Sequence, residues 1–280
     1  MALVGVMIGG SFAVSLVAAP LLYRAVGLSG LFVFTGLLAL AGIGIVLRLV
    51  PTPPQPPSRA AARRPGAVRW TDGDLLRLDA GIFVLHFAQT AMFVVVPARL
   101  VASGLPLAEH WKLYLPVVVA SFAVMMPPLN WAERMGRLRG LFLFAIALQA
   151  LAQVGFALIP PGIASLSVLL LLFFIAFNML EALIPSLVSR LAPAAGRGTA
   201  MGVYNTSQSL GIFAGGALGG VLAARTGDSG VFVAGALLMA AWFVLAWSAR
   251  RWPLRGGRLG DVRAGAGSPA GEGRPTDRPA

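Results

Sequence analysis

Polar side chains able to exchange protons or bind a solute lie inside long apolar runs of this sequence. One of them, Glu181, follows Asn178 by three residues, so the two share a face of a helix. A carboxylate inside such a run could take up and release a proton, or meet a cationic solute. The alternative is a structural carboxylate that pairs with Arg190 or Arg134, or that caps a backbone group. The first interpretation makes Glu181 and Asn178 candidates for a substrate or proton pathway.

Two further polar pairs repeat this spacing in other apolar runs. His86 precedes Gln89 by three residues, and Asn205 precedes Gln208 by three. Histidine is the side chain whose charge most readily changes near neutral pH. Hydrogen bonds between helices would explain the same residues without any role in binding. Both interpretations stay open, and the four residues join the candidate pathway.

Signs of enzyme or metal chemistry are few. The chain has no cysteine, so it forms no disulfide and no thiolate metal site. We find no set of nucleophile, histidine and aspartate, and no paired carboxylates. We therefore expect no catalytic residues, no metal, no cofactor and no enzyme activity. A membrane-embedded enzyme acting on a lipid is a weaker alternative, because it would need catalytic residues clustered at one membrane face.

The composition predicts an integral membrane protein. The 280 residues are 58% hydrophobic and 11% charged, with a mean hydropathy of +0.82, whereas soluble domains carry about 25% charged residues. A membrane-spanning helix needs about 20 apolar residues. Eight such runs are present: Val4–Leu22, Leu28–Val50, Asp79–Ala98, Leu113–Ala132, Gly140–Ile159, Ile163–Val188, Thr199–Ala223 and Val231–Ala249. We predict an all-α fold of about eight transmembrane helices, with the lipid bilayer as its partner.

Two polar segments divide the chain. Residues 51–77 begin with five prolines in seven residues and continue with arginines, which predicts an extended basic linker. Residues 252–280 are rich in glycine, proline and arginine, which is typical of a disordered tail. The predicted domains are therefore two helices in residues 1–50, the linker, six helices in residues 78–251, and the tail.

The basic residues predict the orientation of the helices. Of the 22 lysines and arginines, four lie on one side of the predicted membrane and the remaining 18 on the other. Basic residues concentrate on the cytoplasmic side, so we expect the linker, the tail and both termini there. Because the arginines sit between apolar runs and in the tail, we expect no binding of nucleic acid.

Small and polar residues elsewhere in the runs indicate packing. The seventh run holds Gly211, Gly215 and Gly219 at intervals of four, with Gly216 and Gly220 beside them, which predicts close contact with another helix. In the fifth run, packing also explains Gln149 and Gln153 better than a role in binding does.

One turn resembles a known loop motif. The segment 133–139 reads Glu-Arg-Met-Gly-Arg-Leu-Arg, which resembles the cytoplasmic loop motif of the major facilitator superfamily, in its second-half copy. The motif residues are Glu133, Arg134, Gly136, Arg137 and Arg139. The resemblance implies that this loop acts as a latch, which stabilises one of the two states in which a transporter opens to one side of the membrane. The concentration of positive charge on the cytoplasmic side would explain the arginines without such a role.

Three further segments resemble the YajR type of inner-membrane transporter within that superfamily. They are residues 108–114, 177–182 and 198–208. The resemblance implies that the chain holds helices 5 to 12 of a twelve-helix fold. It also implies that the runs holding His86, Glu181 and Gln208 line a central cavity.

The resemblance implies a secondary active transporter of the bacterial inner membrane. We expect it to export small amphipathic or drug-like compounds by alternating access, with protons as a candidate coupling ion. The alternative is a truncated, transport-incompetent fragment, because Met1 stands almost at the start of a predicted span.

Overall fold

Long helices make up the part of the chain that the structure describes. The computed structural model describes residues 2–51, 73–193 and 196–249. Within these residues it has six α-helices and a single-turn 3-10 helix at Leu107–Glu109. The α-helices are α1 (Ala2–Leu49), α2 (Gly73–Ala102), α3 (Trp111–Arg134), α4 (Leu138–Leu158), α5 (Ile163–Leu191) and α6 (Arg197–Trp247). Each is long and apolar enough to cross a membrane. The predicted all-α membrane fold is confirmed, and most of the predicted linker and the whole tail lie outside the described residues.

Two of these helices are too long for a single crossing. Helices α1 and α6 have 48 and 51 residues, or roughly 72 and 76 Å at 1.5 Å per residue, against a hydrocarbon core of about 30 Å. Each is broken at one glycine, Gly27 (φ 68°, ψ −175°) and Gly227 (φ 73°, ψ 174°). Only glycine adopts this backbone conformation readily. Both glycines fall between predicted runs, so the eight runs correspond to eight helical segments.

The two segments of α6 form a hairpin. Gly211, before the break, lies against the backbone of Phe83 in α2. Trp242, after the break, covers Gly81 in the same turn of α2. Two positions far apart in α6 therefore meet one place on α2, which requires the chain to reverse at Gly227.

Glycines bring α6 unusually close to α2. A Cβ atom added to Gly211 or Gly215 would collide with the backbone carbonyl oxygens of Phe83 or Phe87, and one added to Gly219 would lie 3.0 Å from Ala91. Without side chains at these three positions, the two backbones come into direct contact. The predicted packing role is confirmed for Gly211, Gly215 and Gly219, whereas a Cβ atom added to Gly220 would meet nothing within 4 Å.

The core lies among α2 to α6. Large side chains from these helices are fully buried there, among them Phe142, Phe156, Phe173 and Phe232. Helix α1 contacts α3 and α5, but none of its described side chains is buried. Its apolar surface is therefore left to lipid or to other protein in the membrane.

The structure corrects one boundary of the predicted linker. Helix α2 begins at Gly73, so residues 73–77, which we expected in the linker, form its first turn. Asp74 stabilises the positive end of the helix dipole and pairs with Arg77 at 2.8 Å. Asp79, the expected start of this span, is a buried residue well inside the helix. The two-plus-six division of the helices stays a prediction.

Both glutamines of α4 lie in the core. Gln149 is 0% and Gln153 is 1% exposed, and Gln153 lies against Gly235 of α6. Neither the amide oxygen nor the amide nitrogen of Gln149 has a hydrogen-bond partner among the described residues. This location fits the packing interpretation.

The unpaired amide of Gln149 leads to a stability prediction. Replacing Gln149 with methionine keeps the shape of the side chain and removes two unsatisfied polar atoms, each of which costs about 1–3 kcal/mol. We expect Gln149→Met to raise the thermal unfolding temperature of the detergent-solubilised protein. Gln149→Glu, which buries a carboxylate at the same place, should lower it. A lower unfolding temperature for the methionine variant would contradict the packing seen here.

Candidate functional site

Three helices bring three of the candidate residues together. His86 lies on α2, Glu181 on α5 and Gln208 on α6, and these helices contact one another. The close approach of α6 to α2 begins at Gly211, three residues after Gln208, and meets Phe83, three residues before His86. The glycine contact therefore holds α6 close to α2 in the region of Gln208 and His86.

The side-chain amide of Gln208 contacts both His86 and Glu181. The Nε2 atom of Gln208 lies 2.8 Å from His86 Nε2 and 3.2 Å from Glu181 Oε1. The second carboxylate oxygen of Glu181 lies 3.7 Å from His86 Nε2. We call His86, Glu181 and Gln208 the polar cluster.

The hydrogen bonds of the ring define the position of its proton. His86 Nδ1 lies 3.2 Å from the carbonyl oxygen of Ile82. A carbonyl oxygen only accepts, so Nδ1 carries the hydrogen of the neutral ring, and Nε2 keeps a lone pair. That lone pair accepts one N–H of Gln208, while the second N–H donates to Glu181. In the neutral ring, Nε2 is therefore the atom that would take up a further proton.

Aromatic side chains line one side of the cluster. The rings of His86 and Phe177 meet edge to face at 5.4 Å, and Phe177 stacks on Phe173 at 6.1 Å. The Oε2 atom of Glu181 has no hydrogen-bond partner among the described residues. The side chain of Glu181 is 21% exposed, whereas that of His86 is 6% exposed. The cluster thus holds a buried carboxylate oxygen without a hydrogen bond, close to aromatic rings.

The other three candidates lie outside the cluster. Asn178 donates to Ser121 Oγ at 2.9 Å, which joins α5 to α3. Gln89 is half-buried and Asn205 is exposed, and the structure gives neither a hydrogen bond to the cluster. Residue spacing predicts which side chains share a face of one helix. The rotation of that helix against its neighbours decides which other side chains they contact.

Two residues near this region escaped the sequence analysis. Ser121 of α3 is buried and accepts the hydrogen bond from Asn178. Tyr204 is buried one turn before Gln208, and its hydroxyl has no partner among the described residues. The spacing of four between Tyr204 and Gln208 was the available signal.

No arginine among the described residues pairs with Glu181. Arg190, one of the two partners considered above, lies 3.4 Å from Glu133 instead. Arg134, the other, is exposed at the end of α3. The partners of Glu181 are therefore an amide and an imidazole, which leave its charge less compensated than a guanidinium would.

The loop motif forms the turn between α3 and α4. Gly136 has a φ of 66°, and the amide of Arg137 donates to the carbonyl of Ala132 at 2.8 Å, which closes the end of α3. Arg139 donates to the carbonyl oxygen of Trp247 at 2.9 Å. The motif thus holds the turn against the last residue of α6, and its role as a latch stays a prediction.

A buried arginine joins three helices at the opposite end of the bundle. Arg99, at the end of α2, is 8% exposed. It lies 3.1 Å from Asp228 and 2.6 Å from the carbonyl oxygen of Phe156. Its guanidinium lies 4.8 Å from the ring centroid of Phe232. The sequence carries no signal that pairs Asp228 with Arg99, because 129 residues separate them.

Comparisons with known proteins agree with this architecture. The family model of the Major Facilitator Superfamily matches residues 1–216 and 81–263. The inner membrane transport protein YajR of Escherichia coli (strain K12) is 37% identical over 90% of this chain and 56% of its own length. An uncharacterized transporter of Buchnera aphidicola subsp. Acyrthosiphon pisum is 28% identical over 76% of this chain and 56% of its own length. The chain thus spans just over half the length of these relatives, and it belongs to the major facilitator superfamily, whose members are membrane transporters.

Proposed function

We propose that this chain is a secondary active transporter that exports small amphipathic compounds across the bacterial inner membrane by alternating access, in exchange for protons. The observation that carries the proposal is the polar cluster of His86, Glu181 and Gln208 between α2, α5 and α6. Membership of a transporter family supports the general activity. The distribution of basic residues supports cytoplasmic termini.

The surroundings of the cluster favour a cationic, partly apolar substrate. Glu181 has a buried carboxylate oxygen that no described residue satisfies with a hydrogen bond. Phe177, one turn before it, packs against His86, and Phe173 stacks on Phe177. Carboxylates and aromatic faces both attract organic cations, and the rings also take up apolar groups. A compound with a charged nitrogen and an apolar body fits both features.

The hydrogen-bond geometry supports proton coupling. When a proton binds to His86 Nε2, this atom becomes a hydrogen-bond donor. It can then no longer accept the hydrogen bond from the Gln208 N–H. The remaining acceptor nearby is Glu181 Oε2, 3.7 Å away. The imidazolium would then occupy the carboxylate that a cationic substrate needs. Proton and substrate therefore compete for Glu181, which is what exchange of one for the other requires.

Packing supports movement of helices within the second of the two proposed halves. The glycines of α6 meet the backbone of α2 without interlocking side chains, a contact that permits sliding of one helix along another. We assign α1 to the first six-helix repeat and α2 to α6 to the second. The loop motif at 133–139, with Glu133 and its arginines, would stabilise one access state from the cytoplasmic side.

A flux measurement tests the proposal. The full chain would be reconstituted into vesicles with an inward-facing proton gradient, and efflux of a panel of fluorescent amphipathic cations would be followed with and without a protonophore. We expect gradient-dependent flux from the unaltered chain, and loss of at least tenfold in Glu181→Gln, which removes the charge that the proton and the substrate share.

A matched variant controls for general damage. Glu109 is an exposed carboxylate that pairs with Lys112 at 3.0 Å, away from the polar cluster, so Glu109→Gln should transport normally. Equal flux in Glu181→Gln and Glu109→Gln would contradict the role of the cluster. No flux from the correctly inserted, unaltered chain would contradict transport by this chain alone and favour the transport-incompetent fragment.

A further inference from the structure

A concentration of positive charge lies at one end of the helix bundle. The end of α3, the start of α4, the end of α5 and both ends of α6 meet there, as the contacts of Arg139 with Trp247, of Arg190 with Glu133 and of Arg197 with Ser189 establish. Five arginines lie at these helix ends, and we call them the basic face: Arg134, Arg137, Arg139, Arg190 and Arg197. Among the described residues of these helix ends, Glu133 is the one carboxylate. The nearby Asp74 of α2 is already paired with Arg77.

Some of these arginines have no anionic partner among the described residues. Arg190 pairs with Glu133, Arg139 binds the Trp247 carbonyl, and Arg197 binds the Ser189 carbonyl at 3.0 Å. Arg134 is exposed and has no hydrogen bond or ion pair to any described residue. Arg137 is exposed, and its guanidinium lies 5.5 Å from the ring centroid of Trp131. Among the described residues, these two guanidinium groups therefore have no anionic partner.

The N-terminus of α4 lies at the basic face and adds to its attraction for anions. Helix α4 begins at Leu138, and its N-cap residue, Arg137, makes no side-chain hydrogen bond to the first turn. The unpaired N–H groups of a first turn carry partial positive charge and bind anions. Arg134 and Arg137 lie within four residues of the first residue of α4, so their charges and the backbone donors of the first turn lie close together in the chain.

Exposed apolar and aromatic side chains surround the same place. Trp131 is 51%, Trp247 is 62% and Met135 is 60% exposed. Tryptophan is enriched where a helix meets the headgroups of a membrane. A free anion in water would gain nothing from these side chains, whereas a phospholipid would contact them with its glycerol and acyl chains.

We propose that the basic face binds the headgroup of an anionic phospholipid, with the phosphate between Arg134, Arg137 and the start of α4. Planar guanidinium groups bind phosphate oxygens in pairs, and basic surfaces at a membrane boundary select anionic lipids. The lipid would stabilise the turn between α3 and α4 and make the protein depend on the composition of its bilayer. The proposal does not depend on the transport function.

The test uses the purified full chain in a neutral detergent. Short-chain phosphatidylglycerol, phosphatidylcholine of equal chain length, and inorganic phosphate would each be titrated, with tryptophan fluorescence reporting binding near Trp131 and Trp247. We expect phosphatidylglycerol to bind at least tenfold more tightly than the other two. The double variant Arg134→Gln/Arg137→Gln should weaken that binding about fivefold for each arginine removed.

Two further variants make the result decisive. Arg134→Lys/Arg137→Lys keeps the charge and should retain most of the binding, which separates a loss of affinity from a loss of folding. Arg24→Gln/Arg225→Gln removes two exposed arginines that lie elsewhere in the chain and should change nothing. Equal affinity for inorganic phosphate would show that the lipid is not the ligand. Equal weakening by the control pair, or no weakening by the Arg134/Arg137 pair, would overturn the proposal.

Discussion

Replacing Gly215 with leucine should prevent α6 from packing on α2 and leave little folded protein in the membrane. A Cβ atom at this position would collide with the carbonyl oxygen of Phe87, and the Cα atom of that residue would lie 2.9 Å away. Backbone cannot rotate out of the way as a side chain can, so the two helices must separate. Overpacking of a core typically costs about 1–3 kcal/mol and more where nothing can move.

The measurement is the yield of monodisperse protein after extraction, together with its unfolding temperature. Gly220 lies in the same helix, five residues further on, and an added Cβ meets nothing within 4 Å. Gly220→Leu makes the same chemical change on an open face and should be tolerated. Similar yields and unfolding temperatures for the two variants would contradict the direct backbone contact between α2 and α6.

Replacing Arg99 with methionine should destabilise the end of the bundle where α2, α4 and α6 meet. The change keeps an apolar stem but removes the hydrogen bonds to Asp228 and to the Phe156 carbonyl. Removing one partner of a buried ion pair costs about 3–5 kcal/mol. Because the side chain of Asp228 is 49% exposed, water takes over part of its solvation, and we expect the lower end of that range.

Thermal unfolding of the detergent-solubilised variants measures the effect. Arg225 is an exposed arginine just before the break in α6, so Arg225→Met controls for the loss of one charge at the same end. Asp228→Asn keeps an acceptor for Arg99 and should cost less than Arg99→Met. If Arg99→Met unfolds at the same temperature as Arg225→Met, the three-helix contact does not contribute to stability.

The polar cluster shows what residue spacing within a helix can predict and what it cannot. The i, i+3 pairs placed His86, Glu181 and Gln208 on faces of three different apolar runs, and family resemblance implied that these runs line one cavity. Spacing within a helix says nothing about the rotation of that helix against its neighbours. That rotation excluded Asn205 and Gln89 from the cluster, directed Asn178 to Ser121, and gave Arg190 to Glu133 rather than to Glu181.

The amino-acid sequence by itself determined the membrane-spanning segments, their breaks and their packing glycines. These properties are local, since they depend on the length of an apolar run, on the backbone freedom of Gly27 and Gly227, and on the absence of side chains at Gly211 and Gly215. Contacts between distant residues were decided by the tertiary structure alone. Arg99 meets Asp228 across 129 residues of sequence, and Gln208 bridges His86 and Glu181, because the rotation and crossing of whole helices place these side chains within hydrogen-bonding distance.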